Sequence, residues 1–261
     1  MDASASAHSA LIDGIEAMAR WQTHHRTLRT RDALMTAGSS RFPTPFSNAL
    51  VPLGTASAEA LLESAEQFFS DRRYVLWTRS DCDRSLEELA LERGFLSLGD
   101  EPAMVIEAPL PAVPLAPGLS LELVSTPEVL GELVAVCQEA YAEAGLPAAI
   151  GAALFAATDV VLASGALLAL ARLDGVAIGA ALSLANPSSG IGGVYWVGTV
   201  PSARRLGCAE ALTRFVTNGS FDRGVRLVAL QASRAGEPIY RRLGYREVLR
   251  YSRFLSKRKD G

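Results

Sequence analysis

Four prolines fall within the eleven residues 108–118, "APLPAVPLAPG". Proline fixes φ and has no backbone N–H, so this stretch suits neither a helix interior nor a central strand and reads as an extended connector. It sets a boundary between an N-terminal portion, residues 1–110, and a C-terminal portion, residues 118–256. With 261 residues and 49% hydrophobic content, the chain can build one large core or two smaller ones.

The rest of the composition excludes several function classes. The longest apolar stretch, residues 160–171, is broken by Ser164 and Gly165 and ends at Arg172; it falls short of the ~20 residues a membrane span requires. The N-terminus "MDASASAHSALIDG" lacks the basic start and apolar core of a signal peptide. Cys82, Cys137 and Cys208 are odd in number, far apart and without a CxxC, so neither a disulfide framework nor a zinc knuckle is expected, and a reducing cytoplasm is the simplest home. A net charge of −3 without a long basic run argues against nucleic acid. A small-molecule or protein partner is expected instead, with homodimerisation left open. His8, His24 and His25 all lie in the first 25 residues, which leaves the remainder without a Ser-His-Asp triad or a histidine metal site. The only lysines, Lys257 and Lys259, end the chain, so a P-loop lysine and a pyridoxal Schiff base go too. His24 and His25, neighbours on an expected helix and about 100° apart, read as a solvated face.

Beyond the connector, Ser125 or Thr126 caps a helix that has Pro127 in its first turn and runs to about Gly145, burying Leu130, Leu133, Val134, Cys137 and Tyr141. "ALLALARLDGVAIGAALSL" reads as a hairpin turning at Asp174-Gly175, and "GGVYWVGTV" as a third strand. A helix over residues 201–218, a strand "VRLVALQAS", a short helix around residues 237–243 and a last strand "EVLRYSRFL" complete an α/β sheet of mixed direction.

Where the third strand meets the next helix stands "VPSARRLGCAEALTRF". The first N–H groups of a helix have no intrahelical partner, and with the helix dipole they form an anion site. Gly207 and Ala209 leave the backbone bare there, and Arg204 and Arg205 add charge.

Arg204-x-x-Gly207-x-Ala209, behind Pro201 and a strand, resembles the acetyl-CoA pyrophosphate loop of the GNAT-type N-acetyltransferases. "LQASRAGEPIYRRLGYREV" resembles that superfamily's closing segment. The likeness covers about residues 118–256 and implies a mixed-sheet GNAT-like fold and transfer of an acetyl group from acetyl-CoA to an amine acceptor. It further implies that Val197, Gly198 and Thr199 offer backbone groups to the thioester and pantetheine arm. The amides of Arg204, Arg205, Leu206, Gly207, Cys208 and Ala209 would hold the pyrophosphate, with no metal. Tyr240 would be the general acid at the leaving thiolate. Gly193 stands where many relatives carry a carboxylate base, so water, Glu139, Glu143, Asp159 or Glu237 is left to take the proton.

The N-terminal portion carries an echo: "LALERGFLSLGDEPAMVIEAPL" aligns with "PIYRRLGYREVLRYSRFL", Arg93-Gly94-Phe95 meeting Leu243-Gly244-Tyr245. A helix, "SAEALLESAEQFFSDR", and a strand, "YVLWTRS", precede it, and residues 46–48 are assigned to a first strand. This implies two tandem GNAT-like domains, the first degenerate and non-catalytic, since it lacks the RxxGxA loop and has Ala90 where the second has Tyr240. Such a domain would wall the acceptor cleft or hold the sheet edge of its neighbour. The competing class is a non-catalytic acyl-CoA-binding or regulatory protein.

Overall fold

A computed structural model describes residues 2–257, so Lys259 lies outside the described residues. The N-terminal portion forms α1 (Ala3–Arg20), β1 (Arg26–Arg29), β2 (Ala33–Ala37), β3 (Ala49–Pro52), α2 (Ala58–Phe68), β4 (Val75–Arg79), α3 (Arg84–Glu92) and β5 (Leu96–Ile106). After the connector come β6 (Leu119–Leu123), α4 (Pro127–Ala142), α5 (Ala148–Leu154), α6 (Thr158–Ala163), β7 (Leu167–Leu173), β8 (Val176–Asn186) and β9 (Ile191–Thr199). A 3-10 turn (Pro201–Ala203), α7 (Cys208–Asp222), β10 (Leu227–Gln231), α8 (Glu237–Arg242) and β11 (Arg246–Leu255) follow.

Local chemistry accounts for most of these boundaries. The Thr126 side chain accepts from the Val129 N–H, and Pro127 opens α4. Asp174 and Gly175 both take positive φ, 49° and 86°, as a tight hairpin turn requires. The helix expected from residue 201 begins only at Cys208, because Arg205 and Gly207 lie in the left-handed region and break the helical run. Residues 46–48 form the turn before β3 rather than a strand, and His24 and His25 lie exposed beyond the end of α1 rather than on a helix.

Among the described residues all eleven strands join one sheet in the order β1-β2-β3-β4-β11-β5-β10-β9-β8-β7-β6. The last strand of each portion is exchanged. β5 lies between β11 and β10, both C-terminal, while β11 lies between β4 and β5, both N-terminal. Glu101 and Tyr251, each seven residues beyond the glycine that the echo aligns, face one another across the β5–β11 ladder. The exchange is therefore close to two-fold about that pair. The hydrophobic clusters follow it. α1 sends Leu11 and Ile15 onto a layer that combines Trp77 and Val105 of one portion with Ala229 and Tyr251 of the other. Each such side chain contributes ~1.5–3 kcal/mol by leaving water.

His8 of α1 takes part in this joint, its ring nitrogens 3.0 Å from the Tyr251 hydroxyl and 3.1 Å from the Pro52 carbonyl. Burial, aided by the Arg79 charge, lowers its pKa from 6.5 to about 4. The fold thus prefers the neutral ring, and the stability this brings is complete above about pH 6.5 and is lost as pH falls from there through about 4. His8→Gln should flatten the decline of melting temperature over that window; an undiminished slope would clear His8 of any part in it.

Candidate functional site

The site begins with a parting of strands. β9 pairs with β10 in parallel only over Ile191, Gly192 and Gly193. From Val194 to Thr199 it has no ladder on that side, while it stays paired with β8 on the other. The β8–β9 register shifts between Ala180 and Leu182, opposite Trp196, which has φ 54°. This bulge sends two consecutive side chains to one helix: the Tyr195 hydroxyl donates to the Ala10 carbonyl, and the Trp196 indole N–H lies 3.2 Å from the Met18 sulfur.

A cleft of about 920 Å³ opens at the parting. Val197 and Tyr240 border it, with Tyr141 of α4, Gln231 at the end of β10, and Glu101 and Arg253 from the exchanged strands. Residues 41–46 of the N-terminal portion form part of its wall.

Tyr240 is 8% exposed, its ring edge-on to Tyr245 at 5.9 Å. Burial raises its pKa, so the phenol keeps its proton at neutral pH. Tyr141 donates to the Val197 carbonyl at 3.0 Å, which engages one of the backbone groups expected to face the acyl group. Burial first, then the neighbouring Cys137, Tyr240 and Glu101, hold the Tyr141 proton in place. Gly193 is glycine for a local reason: a Cβ there would strike the Tyr195 ring, which crosses the strand to reach α1. A carboxylate on this strand would displace that ring.

None of the four acidic residues considered as its replacement lines the cleft. Glu139 and Asp159 are exposed, Glu143 pairs with Arg204 at 2.6 Å, and Glu237 pairs with Arg241 at 2.7 Å.

The loop expected to bind an anion sits beyond the end of β9. Arg204 is extended, Arg205 has φ 67° and Gly207 has φ 80° as the residue preceding α7. A Cβ on Gly207 would meet nothing within 4 Å, so its backbone conformation, not crowding, calls for glycine, and the space before the helix is open. Cys208 is buried, and burial raises its thiol; it packs in the first turn and is a poor nucleophile.

The structure does not place loop and phenol in one cavity. Leu206 and Gly207 border a second groove of about 980 Å³, between α7 and the proline connector, whereas Val197 and Tyr240 border the first cleft. Gly198 and Thr199 lie on the strand that links the two, Gly198 beneath Ala140 and Tyr141 of α4. Among the described residues no cluster of His, Cys, Asp or Glu could hold a metal, and no helix is long and apolar enough to cross a membrane.

The sequence pattern places Tyr141 in the core and carries no signal that singles out Glu101, Gln231 or Arg253. In "GDEPAMVIEA" the carboxylates of Asp100, Glu101 and Glu107 flank the apolar residues 102–106, so the pattern does not set Glu101 apart.

Residues 176–248 match the family model of the acetyltransferase (GNAT) domain. A GCN5-related N-acetyltransferase from Kribbella flavida superposes with a TM-score of 0.74 at 21% identity, over 99% of this chain and 97% of that one. One from Sphaerobacter thermophilus gives 0.63 at 18% identity, over 92% and 84%. No curated protein matches by sequence. The fold of the whole chain, both portions included, is thus that of these proteins.

Proposed function

We propose that this chain, a GNAT-superfamily protein by its fold and by its domain at residues 176–248, transfers an acetyl group from acetyl-CoA to an amine acceptor. The observation that carries the reading is the parting of β9 from β10 beyond Gly193, with a buried, protonated phenol at its side. Two further features suit acetyl-CoA. Both side-chain amide atoms of Gln231 are buried without a partner at the cleft wall, and the amides of the pantetheine arm would satisfy them. The open space before α7 leaves the N–H groups from Arg205 to Ala209 free to take a pyrophosphate, with the exposed Arg205 beside them. Arg204 would contribute less charge than its position suggests, since Glu143 already matches it.

In this reading the N–H groups bind and Tyr141 fixes the bulged strand. Tyr240 then delivers a proton to the sulfur as the C–S bond breaks. The N-terminal portion walls the cleft with residues 41–46 and has no counterpart of the phenol, Ala90 being packed in the α2–α3 core where Tyr240 has a cleft.

Gly207→Glu sets a carboxylate where the pyrophosphate would lie. Like charges at close range cost several kcal/mol, so acetyl-CoA should bind ~10²-fold more weakly or worse by calorimetry. Gly207→Ala, which adds only the strain of an L-residue at φ 80°, is the control for folding. Equal affinity in wild type and Gly207→Glu would remove this loop from the cofactor site.

A further inference from the structure

The cleft needs a base that its own strand lacks, and the exchanged β5 supplies a carboxylate. Among the described residues lining the cleft, Glu101 is the single acidic side chain, and the other charged ones are Arg41, Arg73 and Arg253. We propose that Glu101 is the general base for the acceptor, an assignment that rests on the transfer reading. An N-terminal residue would then complete a C-terminal active site, and the strand exchange would be a requirement of the chemistry as well as of the fold.

The geometry supports this from each side. Glu101 occupies the pairing position opposite Tyr251, at the centre of the β5–β11 ladder. Arg253 of β11 holds its carboxylate at 2.7 Å, both side chains under one-fifth exposed at 19% and 17%. The Arg253 guanidinium lies 5.6 Å from the Trp77 ring, while its Nε is buried without a partner. Arg73 is committed through its Nε to the Ser256 carbonyl at 2.8 Å, and Arg41 points largely into solvent. Glu101, Tyr141 and Tyr240 all line this one cleft, and the first and last each help to raise the Tyr141 phenol. The groups around Glu101 are thus Arg253 of β11, Asp100 on its own strand and Tyr141 of α4, with Tyr240 of α8 and the arginines of the wall lining the same cleft. Burial raises the Glu101 pKa, with Asp100 adding to the rise and Arg253 opposing it, which brings the carboxylate nearer the range where a base works best.

The proton accounting closes without another reactant. A primary ammonium gives one proton to Glu101, and the free amine attacks the thioester carbon. The tetrahedral intermediate then loses its second nitrogen proton to the Tyr240 oxygen as Tyr240 passes its own to the sulfur, and the C–S bond breaks. The products are the N-acetyl amide and the CoA thiol, and Glu101 releases its proton to solvent.

The experiment compares wild type with Glu101→Gln across pH, using an aralkylamine, a polyamine, an α-amino acid and an aminoglycoside as probe acceptors, with acetyl-CoA affinity and melting temperature measured beside the rates. The glutamine keeps the shape and an acceptor for Arg253. We expect kcat/KM near neutral pH to fall ~10²-fold or more. The deficit should shrink as pH approaches the pKa of the amine, because an amine already free needs no base. Acetyl-CoA affinity should be unchanged. Glu101→Asp, which keeps the charge at shorter reach, should fall between the two. A Glu101→Gln enzyme with the wild-type rate and pH profile overturns the proposal. So does a rate loss that does not vary with pH or that accompanies loss of acetyl-CoA binding, since Glu101 would then be only a partner for Arg253. A wild-type protein that binds acetyl-CoA and acetylates none of the probes overturns the transfer reading itself, and the assignment with it.

Discussion

Tyr240→Phe should lower kcat by about 10²–10⁴-fold while leaving acetyl-CoA affinity nearly unchanged. Phenylalanine keeps the ring, its edge-on contact with Tyr245 at 5.9 Å, and the place that Gly236 clears for it. What disappears is one O–H. Burial raises the phenol above its ordinary value of 10.0, whereas a free thiol titrates at ~8.5. A buried tyrosine would therefore protonate a thiolate uphill if it acted alone. The transfer becomes favourable when the departing nitrogen proton refills the phenol in the same step, so Tyr240 acts best as a relay from nitrogen to sulfur. Deleting the hydroxyl removes both halves of that relay at once. If Tyr240 were a core aromatic and no more, the substitution would leave kcat alone and cost at most ~1 kcal/mol of stability. Rates and melting curves on this single variant distinguish the cases, and a variant with full kcat would take the tyrosine out of the mechanism.

The parts of this site that could be read from the chain are those built by neighbours in sequence. The left-handed Gly207, the Asp174-Gly175 turn and the α4 cap depend on a few adjacent residues, and each stood where its local chemistry put it. Helix α7 was placed correctly but begun too early, because Pro201 is equally suited to a helix and to the 3-10 turn it starts. β2 passed unnoticed since it is buried at all five positions and shows no alternation. The strand exchange lay wholly outside sequence periodicity. An echo between 94–106 and 244–255 indicates two similar strands, and it is silent on which portion each will join. Glu101 was missed for that reason: a carboxylate in the N-terminal portion has no visible claim on a cleft whose tyrosine lies 139 positions later.

The same exchange makes the two portions inseparable, and cutting the connector tests this directly. Expressed alone, residues 1–110 and residues 118–256 should each fail to fold. Without its partner β5 loses β10 and β11 together, and β11 loses β4 and β5. Ala103, Met104 and Val105 on one side, and Tyr251 and Phe254 on the other, are now 0 to 4% exposed and would lose the layers that cover them. At ~1.5–3 kcal/mol for each large side chain, a handful of such losses exceeds the ~5–15 kcal/mol by which a domain is stable. The bared strand edges would also invite aggregation. The two segments produced together should instead assemble into a one-to-one complex with native circular dichroism, because the omitted residues 111–117 complete no strand of the sheet, and Leu110, whose backbone is bonded to Asn218, stays with the first segment. That complex should bind acetyl-CoA as the intact chain does. A monomeric fragment of residues 118–256 that melts cooperatively by itself would show that the exchange is dispensable, and one that also acetylates an amine would leave no role for any residue of β5.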